Sequence, residues 1–341
     1  MHIDQTTLAQ ARIALQKAVS HYLFDLERKI NLIDFGQPER DGRKVEDQVA
    51  IRFHVDEKIP YFQLEAMGKP EIPPTLDGFA TDVLVGAYRP QQWAWWWNSW
   101  QSHQPTNYRA RRADPLRGGL SISDEYHNAY GTLGGLVEDR DEGYMMILSN
   151  WHVLAAEWWA RPGQRIYQPG RRDGGLHQDA IATLERDAMG LNLDAAVARL
   201  NGQRHCINEQ YELGSVSGVG WAELGMEVMK SGRGSGRTYG AVTGIEGVVR
   251  IGYSGVSRLI RHVVTIEPLN GEVSRPGDSG SWWLDRATGQ VVGLHFAGGN
   301  SPERGLAMDI QPVLDALNVN VVTRSATREV ARTHEAALWQ F

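Results

Sequence analysis

The chain has 341 residues, 42% of them hydrophobic and 22% charged, with a formal net charge of −6. That length leaves room for two or more domains with ordinary apolar cores, and the acidic balance sets aside a nucleic-acid partner, which needs a concentrated basic face. A single cysteine, Cys206, excludes an internal disulfide, and the opening Met1-His2-Ile3-Asp4-Gln5 has neither a basic leader nor an apolar run, so the expectation is a soluble, cytoplasmic protein with no transmembrane segment.

Over residues 6–30, Leu8, Ala11, Leu15, Val19, Tyr22, Leu26 and Ile30 recur at three- and four-residue intervals, which predicts one amphipathic helix. Val49, Ile51, Phe53 and Val55 then alternate with Arg52, His54 and Asp56, and Val83, Val85 and Ala87 alternate in the same way. Two half-buried strands are expected, separated by a loop holding Pro60, Pro70, Pro73 and Pro74. Residues 1–90 thus read as a small α/β element. Residues 91–117 read as a linker rich in Trp and Arg, with Trp93, Trp95, Trp96, Trp97 and Trp100. Burial of these rings is the expectation, a partner-binding or membrane-interface surface the alternative. The run Arg109-Ala110-Arg111-Arg112 reads as a solvated loop, with a cleavage site or an acidic-partner contact as the other readings.

From residue 118 onward, short apolar runs alternate with Gly, Asp and Asn turns, the signature of antiparallel barrels. The expected division is a first barrel over 118–212, a second over 213–318 and a tail over 319–341. Residues 310–317 read as a short closing helix, and 327–340 as a helix or tail.

Three short motifs carry chemistry: Ser149-Asn150-Trp151-His152-Val153, Leu193-Asp194-Ala195-Ala196-Val197 and Gly277-Asp278-Ser279-Gly280. A serine hydroxyl is a weak nucleophile unless an imidazole takes its proton and a buried carboxylate fixes that imidazole's tautomer. Each motif alone has a plainer reading, since Asp-Ser-Gly is ordinary turn chemistry and a histidine after an apolar strand is common in cores. Together they supply Ser279 as nucleophile, His152 as base and Asp194 as orienter. Asp194 is preferred over Asp179 and Asp187 because Leu193, Val197 and Leu200 bury its surroundings. The backbone amides of Gly277 and Ser279 are the expected oxyanion donors. The order His, Asp, Ser, at spacings of 42 and 85 positions, fits neither α/β-hydrolases nor subtilisins.

These motifs, extended through Arg275-Pro276-Gly277-Asp278-Ser279-Gly280-Ser281 and Gly293-Leu294-His295-Phe296-Ala297-Gly298, resemble the trypsin-like (chymotrypsin-fold) serine proteases of bacterial intracellular type, over roughly residues 118–315. Residues 1–90 are more loosely similar to the N-terminal piece of bacterial and plant proteins related to the narrow-leaf trypsin-like protein. The resemblance implies a mainly β fold of two antiparallel β-barrels preceded by a small α/β element. It also implies a serine endopeptidase that cuts protein or peptide substrates through an acyl-enzyme intermediate, without a cofactor. It places Val273, where trypsins carry their pocket-floor acid, with His295, Phe296 and Gly298 around the substrate. The Gly-x-His-x-x-Gly run is similar to that of glutamyl endopeptidases and viral chymotrypsin-like proteases, which implies a Glu or Gln preference before the cut; a purely structural histidine is the other reading.

The chain departs from the family where Ser281-Trp282 replace Gly-Pro after the serine motif, and Gly131-Thr132-Leu133-Gly134-Gly135 lies deep in the chain, so activation by a freed N-terminus is not expected. The run from Lys230 to Arg237 lacks the phosphate-loop arrangement and reads as a barrel turn beside the active site. No metal-ligand motif is present in the sequence. A second class of function stays open: a binding or regulatory module on a protease scaffold, working as a homo-oligomer or with an activating protein partner.

Overall fold

A computed structural model describes residues 3–40, 43–45, 47–91 and 108–323. The five tryptophans of residues 93–100 and the expected helix or tail at 327–340 lie outside the described residues.

Asp4 caps the first helix, Gln5–Ala18, its side chain accepting from the Thr7 amide at 2.9 Å. The predicted single helix over 6–30 is shorter than expected. It passes through a wider turn at Val19–Leu23 and a tight one at Leu26–Arg28, and Lys29 at φ 54° ends it in the left-handed region. Ile30, read as the last position of the helical stripe, instead opens a strand, Ile30–Gly36, whose Ile30, Leu32, Ile33 and Phe35 are all buried.

The strand Ala50–Val55 also departs from expectation. It is buried on both faces: it pairs with Ile30–Gly36, antiparallel, and Phe79–Val85, parallel, and its Ile51, Phe53 and Val55 pack in one cluster with Ala11, Leu15 and Ala18 of the first helix. Its polar residues tolerate this through partners: Arg52 forks onto Asp34 at 2.7 and 2.5 Å, Thr265 donates to the same carboxylate at 2.7 Å, and His54 meets Tyr88 Oη at 2.6 Å.

Two rings of strands form the rest. Gly131–Thr132 and Gly135–Asp139 belong to one segment, and the sheet runs from the first, through Ser121–Asp124, Arg165–Tyr167, Ala180–Asp187, Ala196–Leu200 and Met145–Ser149, to the second. That path closes on itself as a barrel of six strands. The second ring closes in the order Glu227–Gly232, Trp282–Asp285, Gln290–Asn300, Glu303–Asp309, Val256–Pro268 and Gly236–Tyr253, because the first and last of these also pair. The N-terminal strands extend this second sheet, Ile30–Gly36 pairing with Gly236–Tyr253. One apolar cluster joins Leu120, Leu136, Leu148 and Val197 of the first ring to Trp282, Leu294 and Phe296 of the second. Another seats Ala11, Leu15 and Ala18 of the helix on Ile33, Phe53 and Trp283. Trp282, which follows the serine motif, packs against Gly134 and Gly135 across the barrels.

Arg109 is buried, pairing with Glu212 at 2.8 Å and lying over the Tyr211 ring, so the arginine run is not a wholly solvated loop. Arg111 and Arg112 are exposed. The glycine-rich run after Lys230 forms the hairpin between Glu227–Gly232 and Gly236–Tyr253. Among the described residues, no helix is long and apolar enough to cross a membrane.

Candidate active site

His152 sits in a single helical turn, Trp151–Leu154, directly after the strand Met145–Ser149 of the first ring. Asn150, at the start of that turn, donates from Nδ2 to the Asp194 carbonyl at 2.7 Å and so ties the two motifs together. The Asp194 carboxylate accepts from the His152 backbone amide at 3.1 Å and meets His152 Nδ1 at 2.5 Å. A third donor, Tyr253 Oη, reaches the same carboxylate at 2.9 Å. Burial, reinforced by the adjacent Asp194 charge, pushes Tyr253 well above its ordinary phenol range, so it stays a donor. Asp194 is fully buried. Both rivals are engaged elsewhere: Asp179 pairs with Arg204 and Arg112, and Asp187 accepts from the Met189 amide.

With Nδ1 committed to Asp194, the other ring nitrogen of His152, Nε2, is buried and has no hydrogen-bond partner among the described residues. Ser279, on the second ring, is fully buried, and its Oγ donates to the Phe296 carbonyl at 3.2 Å rather than to His152. The Ser279 loop is sewn to the first barrel: the Thr132 amide donates to the Ser279 carbonyl at 2.7 Å and Thr132 Oγ1 to the Gly277 carbonyl at 2.8 Å. Gly280 makes this approach feasible. Its φ is +95°, and a Cβ there would lie 2.1 Å from Ser149 Oγ and 2.2 Å from the Thr132 carbonyl.

Asp278 anchors the loop from beneath. It accepts from Lys230 Nζ at 2.7 Å, from Ser235 Oγ at 2.6 Å and from the amides of Gly234, Ser235 and Arg275. Burial works to raise this carboxyl, but the Lys230 ammonium and its other donors hold it down at about 2.

Of the four expected substrate residues, Val273 and His295 lie together, while Phe296 and Gly298 border Gln91, through the Phe296 carbonyl and the space where a Gly298 side chain would be. Val273 is buried, and its side chain and the His295 ring both lie within 4 Å of where a Cβ on Gly305 would be. Trp283 Nε1, which can only donate, points at His295 Nδ1 at 3.3 Å. That contact leaves Nε2 as the protonated nitrogen, and Nε2 lies 2.7 Å from Oε1 of Gln91. Burial, then the Lys230 charge, push His295 down to about 3, so the ring is neutral at pH 7. Gln91 also donates its amide to the Phe296 carbonyl at 3.1 Å, and its own carbonyl accepts from the Gly277 amide at 2.5 Å. Sequence reasoning left Gln91 in the linker and named neither Tyr253, Lys230 nor Trp283 as site residues.

His295 has a consequence for stability. Its folded proton affinity is depressed, so between about pH 6.5 and 3 the unfolded chain binds a proton that the folded one does not, and stability falls with pH across that window. Asp309, whose buried carboxyl is raised to about 7, pulls the other way, so the effect is read as a difference: in the Ser279→Ala background, His295→Gln should shift the urea midpoint at pH 4 upward relative to that at pH 7. An unchanged difference would show that His295 does not contribute to it.

No protein-family model and no curated protein matches the chain. Among solved structures, protease A of Thermobifida fusca is 18% identical, over 61% of this chain and 98% of that one, with a TM-score of 0.46. Nocardiopsis protease is 18% identical, over 61% and 99%, with a TM-score of 0.47. A serine protease described as glutamic-acid specific, with a histidine triad in substrate binding, is 18% identical over 61% and 100%, with a TM-score of 0.46. In fold, the chain is similar to the bacterial chymotrypsin-like serine proteases.

Proposed function

We propose that the chain is a serine endopeptidase. Ser279 is the nucleophile, His152 the general base and then acid, Asp194 the residue that fixes the imidazole, and the Gly277 and Ser279 amides the oxyanion donors. The observation that carries this reading is the His152–Asp194 pair: a buried carboxylate with three donors holds Nδ1, and Nε2, beside the second barrel, has no partner among the described residues. For attack, the Ser279 hydroxyl leaves the Phe296 carbonyl by a rotation about its Cα–Cβ bond and turns to His152 Nε2. The developing oxyanion meets the backbone amides, the amine departs with the proton from Nε2, and water then hydrolyses the ester.

Before the cut the pocket selects glutamine. A neutral His295 donor satisfies an amide oxygen without a charge, whereas a glutamate carboxylate would enter a buried site beside an imidazole that resists protonation. Against a random peptide pool at pH 7, cleavage after Gln should exceed cleavage after Glu, and cleavage after large apolar residues would remove the His295 assignment. The nucleophile is tested with a fluorophosphonate probe on wild type and on Gln91→Gly, with Ser279→Ala as the unlabelled control. Labelling is expected, and its absence from both active chains defeats the reading.

A further inference from the structure

The segment entering the cleft is this chain's own. Arg89–Pro90 pairs antiparallel with the strand beside Ser279, Pro90 opposite Ala297 and Arg89 opposite Gly298. An extended peptide added to a sheet edge in this way is a recognised mode of peptide binding. Gln91 follows with three anchors: its amide on the Phe296 carbonyl, its carbonyl on the Gly277 amide, and its side-chain oxygen on His295 Nε2. It is 7% exposed. A side chain at Gly298 would lie 2.3 Å from Gln91 Nε2, so that wall of the pocket is cleared for this amide. Ser279 Oγ and the Gln91 amide share a single acceptor, the Phe296 carbonyl. The approach is held as well, by the Gly86 amide on the Val55 carbonyl at 2.8 Å and by Tyr88 on His54 at 2.6 Å.

We infer that the chain cuts itself after Gln91. The inference rests on the serine-protease reading above and adds an intramolecular substrate to it. In the first step Ser279 Oγ adds to the Gln91 carbonyl carbon and its proton passes to His152 Nε2. The bond from that carbon to the nitrogen of residue 92 breaks as the same proton goes to the leaving amine, and an ester joins Oγ to Gln91. A water molecule then adds to the ester carbon, giving its proton to His152. The carbon–Oγ bond breaks, Oγ recovers the proton, and Gln91 is left with a free carboxyl group. After the cut the N-terminal piece remains paired to the barrel through Ile30–Gly36 on Gly236–Tyr253.

The test is intact-mass analysis of purified wild type, Ser279→Ala and Gln91→Gly over time. Wild type should yield two pieces, one ending at Gln91, at a rate unchanged by tenfold dilution. Ser279→Ala should stay whole, and Gln91→Gly should be cut more than about 100-fold more slowly, because the buried His295 donor loses its acceptor. A wild type that stays whole while Gln91→Gly takes the fluorophosphonate probe overturns self-cleavage and leaves the protease standing, with residues 89–91 as a plug. Cutting at another bond, or cutting that slows on dilution, also overturns it. If neither chain takes the probe, the protease reading itself falls, and self-cleavage with it.

Discussion

Ser279→Ala should lower kcat on a glutaminyl peptide by about 10⁶, with KM little changed. The comparison belongs in the Gln91→Gly background, so that the enzyme and its variant have the same residue at the mouth of the pocket. The effect is large because the hydroxyl takes part only in the chemical step: a substrate still finds the Phe296 carbonyl, the Gly277 amide and His295, so ground-state binding survives while the ester route is lost. Residual turnover should then come from the oxyanion donors and positioning alone. His152→Ala should cost about as much, and the double variant no more than either single one, since a nucleophile without its base and a base without its nucleophile are the same defect. Additive losses would mean that the two side chains act independently, and the triad assignment would fail. A Ser279→Ala enzyme with undiminished turnover would locate the chemistry elsewhere.

The parts of this site that were legible in the sequence are those whose chemistry is written locally. Gly277-Asp278-Ser279-Gly280 declares a tight turn that presents a serine, the proposed nucleophile, and an apolar run ending in Asn150-Trp151-His152 declares a strand that delivers an imidazole. Most barrel strands were visible for the same reason, as alternating apolar runs between turns. What stayed hidden depends on distant pairing. Arg52 and His54 read as a solvent face because nothing in their own strand shows that Asp34, 18 residues from Arg52, will neutralise them in the interior. Ile30 matched the helical stripe, and only its pairing with the sheet reveals it as a strand residue. Tyr253 lies 59 residues from the carboxylate it serves. Gln91 is the extreme case: its partner His295 is 204 residues away, and the strand pairing that leads to it is two residues long, too short for any periodicity to register.

Lys230→Met should destabilise the fold by roughly 3–5 kcal/mol, the usual effect of leaving one member of a buried ion pair without the other. Both side chains are fully buried and in direct contact. The loss should concentrate on the Ser279 loop, because Asp278 organises it through the amides of Arg275, Gly234 and Ser235, and Lys230 supplies the charge that keeps that carboxylate ionised. The sign of the pH dependence follows. The folded-state affinity of Asp278 for a proton is depressed, so its contribution is present above the unfolded value of about 4 and is lost as pH falls through about 2. Removing Lys230 should shrink that acid-side loss while lowering stability at pH 7. Urea unfolding in the Ser279→Ala background, where the chain stays whole, measures both. Replacing the pair together, as Lys230→Met with Asp278→Asn, should recover much of the deficit, because the neutral amide carries no uncompensated charge. If the double variant is as unstable as Lys230→Met plus a further loss, packing of the lysine stem against Trp283, whose ring lies 5.5 Å from Nζ, outweighs the charge interaction and the ion pair is not what holds the loop.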